Sequence, residues 1–181
     1  GWDLWSEPHI INWSEVYHLG NLNYVQFCYC HSSQARFRQW LEKKYQTIEA
    51  VNEAWHRTFK SFSEVEPPRF GTILTYTDYL DWQEFITDKL AEDLALKAQA
   101  IKKILPETVV TSHSAIPGLF SQPAWDGTPD DRKMNHSVDY YGVSIYPKHA
   151  GALRPWSPFF RAAGIDFARS MAWENNGFYV G

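Results

Sequence analysis

Short apolar segments alternate with helical patterns along the chain, and this alternation restricts the folds that it can adopt. Four apolar runs are typical of strands: residues 2–5, 108–114, 138–146 and the segment from Phe178 onward. Helices are predicted at 33–46, 47–56, 77–105, 130–135 and 158–173. Strands that alternate with helices are typical of parallel sheets with crossover helices, so we expect an α/β fold.

The helix predicted over 77–105 has the clearest signal. Residues at spacings of three and four form one apolar stripe: Trp82, Ile86, Leu90, Leu94, Ala98, Ile101 and Leu105. Pro106 follows and cannot continue a helix, so the helix should end there. Ser33 and Thr47 are predicted to cap the two earlier helices, because a hydroxyl oxygen can accept a first-turn N–H.

The length of 181 residues limits the architecture. A complete barrel of eight strand–helix units needs ~250 residues, so a small open sheet and part of a barrel both remain open. No glycine-rich phosphate loop follows a predicted strand, which disfavours a nucleotide-binding sheet. The chain begins and ends in predicted strands, and we therefore expect it to be a piece of a larger protein. We interpret residues 1–181 as one domain.

Composition argues against several partners. The formal net charge of -4 disfavours nucleic acid. No apolar run approaches the ~20 residues needed to span a bilayer, so no membrane partner is expected. Two closely spaced cysteines and the absence of an opening signal segment slightly favour the cytoplasm.

Polar residues follow the predicted strands at the ends where parallel sheets place their chemistry. These ends carry Ser6 and Glu7, then His113, then the segment from Tyr146 to His149. Aromatic rings beside a carboxylate and a few polar groups are typical of a sugar site. The candidate substrate-binding residues are Trp5, Ser6, His9, Trp13, His113, Tyr146 and His149.

A glycosidase needs two carboxylates, one on each side of the scissile bond. Glu7 follows an apolar strand and lies among tryptophans, which suits the role of the general acid. That Glu7 only caps a helix or pairs with an arginine is an equal alternative. The second carboxylate is not evident, because Glu174 ends a helix and Asp139 lies early in its strand.

Cys28, Cys30 and His31 could bind zinc together with one further ligand. Short C-x-C pairs are often only buried thiols, and we expect neither a metal nor another cofactor. His18, His56 and His136 are expected at the surface or in packing.

Three stretches resemble glycoside hydrolase family 42, whose members are β-galactosidase-type enzymes built on (β/α)8 barrels. They are 27–41 (FCYCHSSQARFRQWL), Lys44-Tyr45 and 50–55 (AVNEAW). The resemblance covers nearly the whole chain and implies a partial barrel, about strands four to seven. It implies that Glu7 is the general acid/base and that the nucleophile is a glutamate at the end of the seventh strand, beyond Gly181.

The sequence departs from this family at three positions. Ser6 stands where the family usually has an Asn that contacts the sugar 2-hydroxyl, and His113 stands where an Asn is common. Ser33 replaces the third cysteine of the family's zinc loop, so Cys28 and Cys30 form a degenerate loop without a metal.

Three functional hypotheses follow. The first is part of a retaining β-glycosidase that acts on a carbohydrate substrate, carries the acid/base glutamate and lacks the nucleophile. The second is an inactive half-barrel that self-associates through exposed sheet edges into a homo-oligomer and binds sugars weakly. The third is an unrelated open sheet in which Glu174 is the second carboxylate.

Overall fold

The computed structural model describes residues 1–10, 28–69, 76–115, 129–145, 157–173 and 177–180. Four strands alternate with helices among these residues, as predicted. The strands are β1 (Trp2–Ser6), β2 (Val110–Ser114), β3 (Tyr140–Val143) and β4 (Phe178–Val180). The helices are α1 (His31–Tyr45), α2 (Ile48–Trp55), α3 (Thr77–Ile104), α4 (Asp131–Asn135) and α5 (Pro158–Met171), with a 3-10 turn at Phe62–Glu64.

The strands form one parallel sheet in the order β1-β2-β3-β4. This confirms the predicted α/β class with crossover connections. In the described residues β1 and β4 are each paired on one side. Trp2 on β1 is 54% exposed and Val180 on β4 is 45% exposed, whereas Leu4, Trp5, Phe178 and Tyr179 on the same strands are half-buried.

The helix boundaries follow from local chemistry. Thr47 accepts a hydrogen bond from the Ala50 N–H and caps α2, as predicted. Asp130 caps α4 in the same way. The predicted cap at Ser33 is wrong: α1 begins at His31 with Cys30 before it, and Ser33 is buried in the first turn. The apolar stripe of α3 is buried from Trp82 to Ala98, but Leu105 is 48% exposed.

The chain divides into two compact units, and the boundary falls within α3 between Ile86 and Thr87. The first unit contains the sheet. Its core is formed by residues of α3, the strands and α5, and includes Leu90, Leu94, Val110, Tyr141, Val143 and Ala168. The buried carboxyl group of Asp131 accepts a hydrogen bond from the Tyr141 hydroxyl at 3.1 Å.

The second unit, described over 28–69 and 76–86, has an aromatic core. The ring of Phe37 lies among the rings of Trp55, Trp82 and Phe85. Asp81 is buried beside them and accepts from Lys44 at 2.8 Å and from Tyr45 and Trp55 at 2.7 Å each. One carboxylate therefore ties together α1, α2 and the start of α3.

None of the helices in the described part of the chain is long and apolar enough to cross a membrane.

Candidate active site

The end of β1 is irregular, and this irregularity shapes the candidate site. Asp3 lies opposite Thr111 and Ser6 opposite His113, so three steps along β1 match two along β2. One extra residue of this kind is a β-bulge, which redirects the side chains that follow it. Strict alternation would put Asp3 and Ser6 on opposite faces, whereas the bulge brings both to the same imidazole.

Three side chains from two strands meet the ring of His113 on β2: Asp3, Ser6 and Tyr179. We call these three residues and His113 the His113 cluster. The Ser6 Oγ lies 3.3 Å from His113 Nε2. The Tyr179 hydroxyl lies 2.9 Å from His113 Nδ1, and Asp3 Oδ2 lies 3.3 Å from the same nitrogen. Each ring nitrogen therefore faces a polar partner.

Gly142 makes the contact between Tyr179 and His113 possible. His113, Gly142 and Tyr179 stand opposite one another on β2, β3 and β4, in one row across the sheet. A Cβ on Gly142 would lie 2.6 Å from the Tyr179 carbonyl oxygen and 2.8 Å from its ring. Since glycine leaves this space empty, the Tyr179 ring reaches across β3.

The cluster is partly shielded from water. The His113 side chain is 14% exposed and that of Asp3 is 40% exposed. Burial, together with the nearby Asp3 carboxylate, raises the pKa of Tyr179 to about 12, so the phenol keeps its proton at neutral pH.

Glu7 follows β1 directly, as predicted, at the carboxyl end of the strand. Its N–H donates to the His113 carbonyl at 2.9 Å. Its backbone is left-handed, with φ of 52°, and Pro8 behind it is buried. The imidazole Nδ1 of His9 donates to the Glu7 carbonyl. The backbone at Glu7 is therefore fixed from both sides beside the His113 cluster.

Trp5 lies within the bulge. Its carbonyl accepts from the Ser112 hydroxyl at 2.6 Å, and the Lys97 ammonium of α3 lies 3.5 Å from the centre of its ring. A cation over an indole face is an attractive contact. One face of the ring is thus occupied, and sugar stacking by Trp5 stays a prediction for its other face.

Several predicted site residues fall outside the described residues: Trp13, Tyr146, His149 and the alternative carboxylate Glu174. Asp139, expected early in its strand, lies just before β3, at the same end of the strand, and has a structural role. It accepts from Lys102 at 2.6 Å and from the Val110 N–H at 2.9 Å. Partial burial acts to raise the pKa of Asp139, but these hydrogen bonds outweigh it and lower the pKa.

The cysteine loop carries two thiols and a hydroxyl. Cys28 Sγ lies 3.8 Å from Cys30 Sγ and 2.9 Å from the Ser33 Oγ. Zinc prefers four ligands among thiolate, imidazole and carboxylate. No group of three such residues comes together among the described residues, and the buried Ser33 hydroxyl takes the third position. Two thiols and a serine hydroxyl therefore differ from the donor set of the family's zinc loop, which has a third cysteine where Ser33 stands.

Sequence reasoning overlooked Asp3, Gly142 and Tyr179. Asp3 could not be identified because the alternating pattern of a strand's residues does not reveal a bulge. Gly142 carried a usable signal, since a glycine within a strand often marks close approach of another group. The side chain that approaches it, Tyr179, could be named only once the register was known.

Comparison with known proteins gives the family. The model of glycoside hydrolase family 42, described as beta-galactosidase, matches residues 6–180. The chain therefore belongs to this family, as the sequence motifs indicated.

Individual relatives agree. A beta-galactosidase from Thermus thermophilus is 37% identical over 137 residues, covering 72% of this chain and 20% of the relative. Beta-galactosidase BglY from Alicyclobacillus acidocaldarius is 32% identical over 120 residues, covering 62% and 17%. The crystal structure of a Bacillus circulans beta-galactosidase matches with a TM-score of 0.62 and 25% identity, over 82% of this chain and 22% of that one. The chain thus spans about a fifth of these relatives' lengths.

Proposed function

We propose that this chain contributes the acid/base half of the catalytic site of a retaining β-galactosidase, with Glu7 as the general acid/base. The observation that carries the proposal is the position of Glu7: it directly follows the carboxyl end of a strand of a parallel sheet, next to the His113 cluster, in a chain of family 42. The carboxyl ends of parallel strands are where barrel enzymes place catalytic groups.

In this mechanism Glu7 protonates the glycosidic oxygen as the bond to the leaving group breaks. It then removes a proton from the water that hydrolyses the glycosyl-enzyme. Ser6 and His113 position the sugar, and so do His9, Trp5, Trp13, Tyr146 and His149.

Retention requires a second carboxylate at about 5 Å from the first. Among the described strand ends Glu7 is the only carboxylate. We therefore assign the nucleophile to residues outside the described part of the chain, in agreement with what the family resemblance implies. On this proposal the four parallel strands correspond to strands four to seven of an eight-stranded barrel.

The leaving group of the substrate tests this role. Glu7→Gln should slow hydrolysis of alkyl β-galactosides by roughly 10²–10⁴-fold, since proton donation is lost. Hydrolysis of dinitrophenyl β-galactoside should slow far less in its first step, because that leaving group departs without a proton. The assay uses protein that carries both carboxylates, and Glu107→Gln, an exposed carboxylate before β2, is the matched control. Equal losses for both substrates would refute the assignment.

A non-catalytic half-barrel that pairs with a second copy is the alternative. The exposed edges at Trp2 and Val180 favour it, because unpaired parallel edges attract further strands. Light scattering of the chain gives its mass in solution. A stable dimer without galactoside hydrolysis favours this alternative, whereas a monomer excludes it.

A further inference from the structure

The direction of the hydrogen bonds at the His113 cluster decides what Ser6 can offer a ligand. A carboxylate oxygen can only accept, and Asp3 Oδ2 lies 3.3 Å from His113 Nδ1. A proton on Nδ1 is therefore favoured over a lone pair there. The Tyr179 oxygen, 2.9 Å away, can accept from the same N–H.

The opposite nitrogen then has only a lone pair. In a neutral imidazole with its proton on Nδ1, Nε2 is an acceptor. The Ser6 Oγ, 3.3 Å from Nε2, can satisfy it by donating its single hydroxyl proton. This leaves the Ser6 oxygen with lone pairs and no proton for any other group. Ser6 is exposed, so these lone pairs are accessible.

We propose that Asp3 and Tyr179 hold the neutral His113 ring as the Nδ1–H tautomer and thereby make Ser6 a hydrogen-bond acceptor, which recognises a sugar hydroxyl through its O–H. An asparagine side chain offers both an N–H donor and a carbonyl acceptor, whereas a serine held in this way can only accept. The part that concerns the sugar rests on the galactosidase proposal. Gly142, Tyr179 and Asp3 act through His113 and are positioning residues.

Nitrogen-15 NMR of the imidazole tests the tautomer without any substrate. The spectrum distinguishes a protonated from an unprotonated ring nitrogen, and His113→Gln assigns the signals. We expect Nδ1–H in the neutral ring, with a shift toward Nε2–H in Asp3→Asn and Tyr179→Phe. The control is Tyr140→Phe, which also removes a phenol hydroxyl. Tyr140 of β3 lies opposite Thr111 and not opposite His113, so this change should leave the signals unchanged. An Nε2–H tautomer in the unmodified protein overturns the inference.

Deoxy and deoxyfluoro analogues of methyl β-galactoside test the ligand contact. Fluorine can accept weakly but cannot donate, so at the hydroxyl read by Ser6 both replacements should weaken binding alike, by roughly tenfold. In Ser6→Ala, replacing that one sugar hydroxyl should no longer weaken binding, while replacing the other hydroxyls should weaken it as before.

The outcomes separate the two proposals. If the fluoro analogue binds as well as the parent at every position, Ser6 does not act as the acceptor and the inference fails while the galactosidase proposal stands. If the tautomer is Nδ1–H and no galactoside binds to protein that carries both carboxylates, the galactosidase proposal fails, and the sugar contact fails with it.

Discussion

The Tyr179 hydroxyl lies 2.9 Å from Nδ1 of His113 although their strands are separated by β3. The contact exists because Gly142 stands between them without a side chain. A residue in the centre of one strand thus determines how an imidazole at the end of another is oriented. The effect reaches Ser6 and, through the backbone bond from Glu7 to the His113 carbonyl, the neighbourhood of the proposed acid/base.

Gly142→Ala should disrupt this row. The added Cβ meets both the Tyr179 carbonyl and its ring, so β4 must shift. We expect a loss of about 1–3 kcal/mol in the free energy of unfolding, measured by denaturant titration. The His113 ring signals should also change as they do in Tyr179→Phe. Unchanged stability and unchanged ring signals would contradict the role given to Gly142.

Asp81 should be essential to the second unit. Asp81→Ala leaves the buried indole N–H of Trp55 and the hydroxyl of Tyr45 without their acceptor. The expected loss is roughly 2–4 kcal/mol in the free energy of unfolding. Glu84→Gln is the matched control. Glu84 is the exposed carboxylate that also pairs with Lys44, so this change should lower the free energy of unfolding only slightly. Similar losses in both variants would contradict this account.

The Cys30 thiol should react near neutral pH. Hydrogen bonds from the Ser33 side chain, and then from its backbone and from Cys28, lower the pKa of Cys30 to about 7. Because the thiolate is the nucleophile, the rate of alkylation at Cys30 should reach half its maximum near that pH. Peptide mass spectrometry identifies the modified residue.

The Ser33 hydroxyl can be tested separately. Ser33→Ala should move the midpoint of Cys30 alkylation to higher pH. Ser32→Ala, which keeps the backbone, should not move it. A midpoint that is the same in all three proteins would show that Ser33 does not stabilise the thiolate.

Asp139 should stabilise the sheet in a pH-dependent way. Its pKa is lowered in the folded protein, so its contribution is present above the unfolded value of 3.8 and disappears as pH falls through the lower folded value. The difference in Tm between the unmodified protein and Asp139→Asn should therefore shrink between about pH 6 and about pH 3. A difference that grows toward low pH would contradict the sign of the shift.

Local rules predicted the helices and the parallel order of the strands well. Pro106 and the cap at Thr47 act within a few residues, so their effects can be read from sequence. Ser33 has a hydroxyl that could cap a helix in the same way. Its hydroxyl instead contacts the thiol of Cys28, and the helix begins at His31, two residues before Ser33.

The site was only partly predictable because its geometry depends on register. Ser6, Glu7 and His113 could be named from their places at strand ends. The bulge that turns Asp3 toward His113 arises from pairing between segments more than 100 residues apart. The role of Tyr179 depends on which residue faces it across β3, and no local pattern specifies that partner.

The central claim is that Glu7 is the acid/base of a retaining β-galactosidase, and chemical rescue tests it most directly. Glu7→Ala is incubated with dinitrophenyl β-galactoside and azide, in protein that carries both carboxylates, and the product is examined by proton NMR. If Glu7 is the acid/base, the intact nucleophile forms the glycosyl-enzyme and azide attacks it to give β-galactosyl azide. An α-galactosyl azide would make Glu7 the nucleophile, and unchanged hydrolysis would remove it from the mechanism.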